Sequence, residues 1–199
     1  MEAKLVDSPR DIARCRHLAW QVLVQEQGWQ ILAGNKSGLK VIHPDTRPEL
    51  IDDYDSVAEW MALFDGDEII GCNRKCGKIA GQFELERYIA VPEFLKQDEH
   101  SFEHTRLCIS PPHRTKKGMF QIAKFWYEHY RAQQLGRFFS TGHDPIPGRL
   151  YRQLGMVRDD REFKYNPHEA NGCFIFHVNM RDLQYVNTMI EKMDALIRA

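Results

Sequence analysis

Near the start of the chain, apolar residues recur at helical spacing: Ile12, Cys15, Ala19, Val22 and Leu23 share one face. Ser8 stands as an N-cap before Pro9, Asp11 lies in the first turn, and Gly28 follows the apolar run. A helix is therefore predicted from about Pro9 to Gln27. Residues 31–50 carry two glycines, two prolines and scattered charges and read as a long loop. The period then drops to two. VAEWMALF alternates, Asp65-Gly66 supplies a turn and EIIGCNRKC continues in β pattern, so residues 57–76 form a hairpin. Residues 82–98 hold no single period and are broken by Pro92, whereas SFEHTRLCI, residues 101–109, is a strand stopped by Pro111-Pro112. A helix follows with Ile122, Ala123, Trp126 and Tyr130 on one face, ended by Gly136. RFFSTG is a short strand, PIPGRLYRQLG a short helix closed by Gly155, and CFIFHVNM an apolar strand. Leu183, Val186, Ile190, Met193 and Ile197 stripe a closing helix. This order describes a mixed sheet with helices on both faces, in which residues 101–142 make a right-handed parallel crossover.

One strand does not fit its own period. Glu103 and Arg106 lie three apart, which in a regular strand sends them to opposite faces, whereas one extra residue brings them to the same face. Either one charge points into a core or the strand is bulged. Other polar groups gather nearby in sequence: Asp52, Asp53 and Asp55 before the hairpin, and Arg74 at its far end. A sheet built in chain order makes hairpin and strand neighbours, so these acids and guanidinium groups converge on one crevice.

Composition narrows the classes. A chain of 199 residues fits a single domain, residues 1–199, that buries about 70% of its extended surface. Lys and Arg number 27 against 28 Asp and Glu, a net charge of −1 mixed along the chain, which disfavours nucleic acid and anionic membranes as partners. Five cysteines, an odd number, several in apolar stretches, point to a reducing compartment. Cys72 and Cys76 have no second Cys/His pair at zinc-site spacing, so no metal is expected. With no basic-then-apolar leader and no apolar run of spanning length, a cytoplasmic location without stable membrane insertion is expected.

Residues 101–155 combine E-x-x-R, then PPHRTKKGM opening a helix, then LYRQLGM. This set resembles the core of GNAT-fold acyltransferases, more specifically acyl-homoserine-lactone (autoinducer) synthases and long-chain N-acyl amino acid synthases. Arg16 and Trp20 in the first helix, Trp29, Asp52 with Asp55, Arg74, and Glu103 with Arg106 follow that pattern in order. Arg74 lies 19 residues after Asp55, and Glu103 lies 29 after Arg74. The resemblance implies an α/β (α+β) fold: a GNAT-like, mostly antiparallel central sheet with helices on both faces and a splayed, bulged central strand. It also implies an N-acyltransferase that takes a fatty acyl group from an acyl-phosphopantetheine donor, acyl carrier protein or coenzyme A, without a tightly bound cofactor. Two features depart from the pattern. RTKKGM keeps Arg114 and Gly118 but not the second glycine of a coenzyme A phosphate turn, which favours acyl carrier protein. The stretch from Ile31 to Leu50 looks like an insertion in the region shaping the acceptor pocket, which favours an amino acid, tyrosine being a plausible one, over S-adenosylmethionine. A non-catalytic acyl-binding module is the rival from another class.

On this reading Glu103 and Arg106 are the catalytic candidates, and Arg16, Trp29, Asp52, Asp55 and Arg74 contact the acceptor. Leu107, Ile109, Arg114 and Gly118 line the donor's pantetheine arm. Arg106 is expected to hold the Glu103 carboxyl low, so that Glu103 works through an ordered water or steers the ammonium. Arg74 either grips an acceptor carboxylate or braces Asp52 and Asp55. Trp20, Trp60 and Trp126 read as core. No G-x-S-x-G or Cys/His nucleophile order is present, so direct transfer is expected. Lys116 and Lys117, with Arg114, offer an acidic carrier protein a docking point.

Overall fold

The computed structural model describes residues 1–143, 146–165 and 172–198. The chain opens with β1 (Glu2–Val6) and α1 (Pro9–Ala19), which Ser8 caps by accepting the Asp11 amide at 3.1 Å. α1 runs on into a π-helical segment, Trp20–Glu26, closed by the Gln27 amide on the Val22 carbonyl. Gly28, at φ +71°, ends it where the sequence placed the stop, in a conformation that penalises any Cβ. The stretch read as a loop holds a small hairpin, β2 (Lys40–Ile42) with β3 (Glu49–Ile51); three-residue strands are too short to display a period. β4 (Ala58–Asp65) and β5 (Glu68–Cys76) are the predicted hairpin. Residues 82–98 resolve into a 3₁₀ turn, Leu85–Arg87, and the one-turn α2 (Glu93–Lys96).

Then follow β6 (Ser101–Ile109), α3 (Lys116–Ala132), β7 (Arg137–His143), α4 (Ile146–Gln153), β8 (Val157–Phe163), β9 (Cys173–Asn179) and α5 (Leu183–Arg198). Seven strands form one sheet in the order β1-β4-β5-β6-β7-β9-β8, antiparallel except between β6 and β7. Within this sheet the strands the pattern missed, β1 and β8, are the edges, where charged residues such as Asp159, Asp160 and Arg161 blunt the exposed ladder and hide the strand signal.

The sheet separates two cores. Met61 and Leu63 of β4 pack with α3 and α5, while Trp60, Ala62 and Phe64 of the same strand pack with α1. A smaller cluster, including Phe83, Leu85 and Leu95, seals residues 83–95 over Phe139, whose neighbour Phe138 faces α3.

α3 ends at Ala132, and the left-handed position after it belongs to the exposed Gln134, at φ +54°, rather than to Gly136. Gln134→Gly should therefore stabilise the protein by about 1 kcal/mol in denaturant unfolding, because it removes a Cβ penalty larger than the chain entropy it adds.

Candidate functional site

The register of β5 on β6 places Arg74 opposite Thr105 and Cys72 opposite Cys108, so two steps on β5 meet three on β6. The extra residue is Arg106, at φ +54°. Its backbone resolves the E-x-x-R misfit as a bulge: Glu103, Thr105 and Arg106 all face the α1 side, while His104 and Leu107 face α3. β6 also parts from its other neighbour. Pairing with β7 covers only Ser101–Glu103 against Arg137–Phe139. At the next step the Ser140 hydroxyl donates to the His104 carbonyl at 2.8 Å in place of a ladder bond. Beyond it the two strands carry no mutual pairing among the described residues, which leaves a gap between splayed backbones.

On the α1 side of that gap lies a buried charge network. Arg74, 1% exposed, grips both oxygens of Asp52 at 2.8 Å, reaches Glu84 at 2.8 Å and donates from Nε to Thr105 at 3.0 Å. Arg106 donates to Asp52 and, at 2.9 Å, to Glu84. Asp52 caps the 3₁₀ turn Asp53–Val57 by accepting the Tyr54 amide, and Asp55 closes that turn by accepting the Asp52 amide at 2.9 Å. Asp55 is held in turn by Trp60 Nε1 at 3.2 Å and Arg16 Nε at 3.3 Å. Burial pushes the Asp52 carboxyl up, but Arg106 and Arg74 outweigh it and hold Asp52 low, hence ionised.

Glu103 is different. Its carboxylate accepts the Leu85 amide at 3.1 Å, and neither arginine donates to it; both are taken by Asp52 and Glu84. Burial, followed by the negative charge of Glu84, pushes its pKa up to about 8. The expectation that Arg106 holds Glu103 low is thus reversed, because the arginine spends its donors on other acids.

Of the acceptor candidates, Asp52, Asp55, Arg74 and Arg16 are joined in this network, and Arg74 acts as a brace with no face open to an acceptor carboxylate. Trp29 is 40% exposed, and its ring stands 5.7 Å from the Arg106 guanidinium. The donor candidates divide. Leu107 lines a cavity on the α3 side of the gap, while Ile109 is core. Gly118 is buried, its amide accepted by Thr115 Oγ1 at 3.2 Å, and a Cβ there would lie 3.4 Å from the His113 carbonyl; it seats α3 close to the sheet rather than facing the gap. Arg114 is engaged by Glu26 through two contacts and donates to the Ile109 carbonyl at 2.9 Å, while Lys116 and Lys117 are exposed at the start of α3. Trp60 and Trp126 are buried as expected, whereas Trp20 is only partly so. All five cysteines are buried and none forms a disulfide among the described residues, where no His/Cys/Asp/Glu group could hold a metal ion.

The sequence reading missed Glu84, which holds both arginines. Its signal is an acid between two apolar residues, Phe83 and Leu85, in a segment without a period. It also missed the aromatic rim: Tyr88 and Tyr165 meet edge to face at 5.5 Å, and the Tyr165 hydroxyl pairs with Thr141 Oγ1 of β7 at 2.9 Å.

A family model described as an acetyltransferase (GNAT) domain matches residues 35–124. No curated protein sequence matches the chain. Among solved structures, MesI, a CoA-dependent acyl-homoserine lactone synthase, superimposes with a TM-score of 0.70 at 14% identity, over 100% of this chain and 96% of that one. BjaI, described in the same terms and holding S-adenosylmethionine and isopentyl-CoA, gives 0.67 at 15% identity, over 94% and 83%. FeeM, an N-acyl amino acid synthase from uncultured soil microbes, gives 0.66 at 11% identity, over 90% and 91%. The chain has a GNAT-like fold, with the mixed sheet and splayed, bulged strand expected of it. Among the described residues no helix is long and apolar enough to cross a membrane.

Glu103 also leaves a signature in stability. Between the ordinary value of 4.5 and its raised value of about 8, the folded protein binds the proton more tightly than the unfolded chain, so stability falls as pH rises through that window. Glu103→Gln keeps an acceptor for Leu85 and removes the ionisation. The variant should match the parent at about pH 4, below the ordinary carboxyl value, and exceed it by about 1 kcal/mol or more at about pH 8.5 in calorimetric unfolding.

Proposed function

We propose that this protein is an N-acyltransferase that moves a fatty acyl group from a phosphopantetheine thioester, carried by acyl carrier protein, to the α-amine of an amino acid. One observation carries the reading: an unpaired strand edge opens beside a buried carboxyl whose pKa lies near 8. Extended pantetheine amides suit the free edge of β6, as a peptide adds to a sheet. The acyl chain then lies on the α3 side, where the cavity is, and the amine arrives from the α1 side, where Glu103 is. The gap joins the two faces at the reacting carbon.

The chemistry follows from that placement. An ammonium gives one proton to the Glu103 carboxylate, directly or through a water, and the neutral nitrogen attacks the thioester carbon. The carbonyl π pair moves onto oxygen, where free backbone N–H groups of the bulged edge stabilise it. On collapse the C–S pair leaves with sulfur, a second nitrogen proton passes to the thiolate, and amide and thiol result. A thiol of reference pKa about 8.5 leaves without a dedicated acid. Arg74 and Arg106, saturated by Asp52 and Glu84, fix the strand and the carboxyl rather than bind substrate. With Arg114 engaged by Glu26, only Lys116 and Lys117 stand free at the helix start, a pair better suited to an acidic carrier protein than to a full coenzyme A phosphate set.

The exposed Trp29 indole beside this carboxylate-rich cluster favours a second acceptor, the sulfonium of S-adenosylmethionine, for which an aromatic face is a fitting platform. Mass spectrometry separates the two: incubation with acylated carrier protein or acyl-CoA and each acceptor yields either an N-acyl amino acid or an acyl-homoserine lactone with methylthioadenosine. No acylated amine from any pairing would refute the proposal.

The pH profile tests the role of Glu103. kcat/KM should rise with pH to a plateau above about 8, and Glu103→Gln should lose that limb with a fall of about 10²–10⁴-fold. Undiminished turnover in the variant contradicts a proton-accepting role.

A further inference from the structure

Arg114 stands where the open edge of β6 runs out. Its Nε donates to the carbonyl of Ile109, the last residue of β6, at 2.9 Å, which fixes the guanidinium at the end of the strand remote from Glu103 and leaves both terminal nitrogens for another partner. That partner is Glu26, 88 residues earlier in the chain: Nη1 donates to one carboxylate oxygen and Nη2, at 2.5 Å, to the other. Two parallel contacts are the fork by which arginine takes a carboxylate or a phosphate. Glu26 closes the π-helical segment, a backbone geometry that is rare and gathers at functional sites. The hydrogen bonds from Arg114 hold the Glu26 carboxyl below its usual range, so both partners are charged at neutral pH. Each side chain is 39% exposed, and such a pair adds little to stability, so a competing anion can displace it. Arg114 is also the only arginine of residues 110–118.

We propose that Glu26 selects the acyl donor by occupying Arg114 as an internal substitute for a donor phosphate, so that coenzyme A finds the guanidinium taken and a donor seated by protein contacts is preferred. The inference deepens the acyl-transfer reading and rests on it. A pantetheine arm that lies along β6 with its thioester near Glu103 leaves the strand at Ile109, and the group that follows pantetheine there is phosphate. In coenzyme A this is a pyrophosphate joined to a nucleotide with a further phosphate, and the Glu26 carboxylate both withholds the arginine from it and repels it. A carrier protein bears one phosphodiester and brings its own acidic surface, which the exposed Lys116 and Lys117 meet without Arg114.

The test uses the full chain with an octanoyl group on pantetheine, on coenzyme A and on carrier protein, and compares Glu26→Gln with the parent. The kcat/KM ratio of octanoyl-CoA to octanoyl-pantetheine should rise about 3–10-fold in the variant, the worth of one partly exposed charge-assisted pair, and the ratio of octanoyl-CoA to octanoyl carrier protein should rise with it. Adding Arg114→Gln should return the first ratio to about the parent's. An unchanged or lower first ratio overturns the inference, as does an equal gain for the carrier protein or a gain that survives in the double variant. Thermal shifts with coenzyme A alone read the same release without acceptor or turnover, and should be larger for Glu26→Gln than for the parent or the double variant. If no thioester is consumed with any amine, the acyl-transfer reading fails, yet the coenzyme A shifts still decide whether Glu26 blocks Arg114.

Discussion

A left-handed residue in the middle of a strand holds this architecture together. Arg106 at φ +54° adds one residue to β6 against β5, and the surplus does two things at once. It turns the guanidinium to the side where Glu103 already points, and it rotates the rest of β6 so that Leu107 lines the α3-side cavity. Without the surplus, Arg106 would enter the apolar core under α3 and cost several kcal/mol as an unpaired buried charge. A left-handed arginine is itself unfavourable by about 1–2 kcal/mol. Its ion pairs with Asp52 and Glu84 hold it there.

The charge network is best understood as a frame around one unoccupied acid. Two guanidinium groups and two carboxylates satisfy one another: Arg74 and Arg106 with Asp52 and Glu84. Removing any member strands a buried charge, at about 3–5 kcal/mol. Glu103 stands beside this closed set without joining it, and burial beside Glu84 is what carries its pKa into the range of an amine base. Had an arginine paired with it, the same carboxyl would be permanently ionised and a poor proton acceptor. The apolar side of the sheet shows the complementary economy, with neutral polar groups paired through Asn73, His104 and Tyr130.

Much of this was legible in the residues. The hairpin at 57–76, the bulge in β6, the meeting of Asp52, Asp55, Arg74, Glu103 and Arg106, and the helix stop at Gly28 follow from period, turn chemistry and charge spacing. The illegible parts share a cause: their structure comes from the sheet rather than from their own sequence. β1 and β8 are charged edge strands, β2 and β3 span three residues each, and Glu84 belongs to a segment whose fold is set by what it covers. The protonation of Glu103 was misjudged because spacing shows which charges are near but not which of them pair. Gly136 was misjudged because composition points to glycine even where Gln134 takes the strained turn.

In the proposed reaction the β6 edge beyond Glu103 receives an extended thioester and presents its carbonyl across the sheet to that carboxyl. A crystal structure with an S-acyl-pantetheine thioether analogue examines it directly. Pantetheine amides should pair along β6 beside the Arg106 bulge, with the chain under α3 and the acyl carbon within one water of Glu103. Density for the analogue elsewhere, or β6 and β7 found paired beyond Phe139, would contradict it.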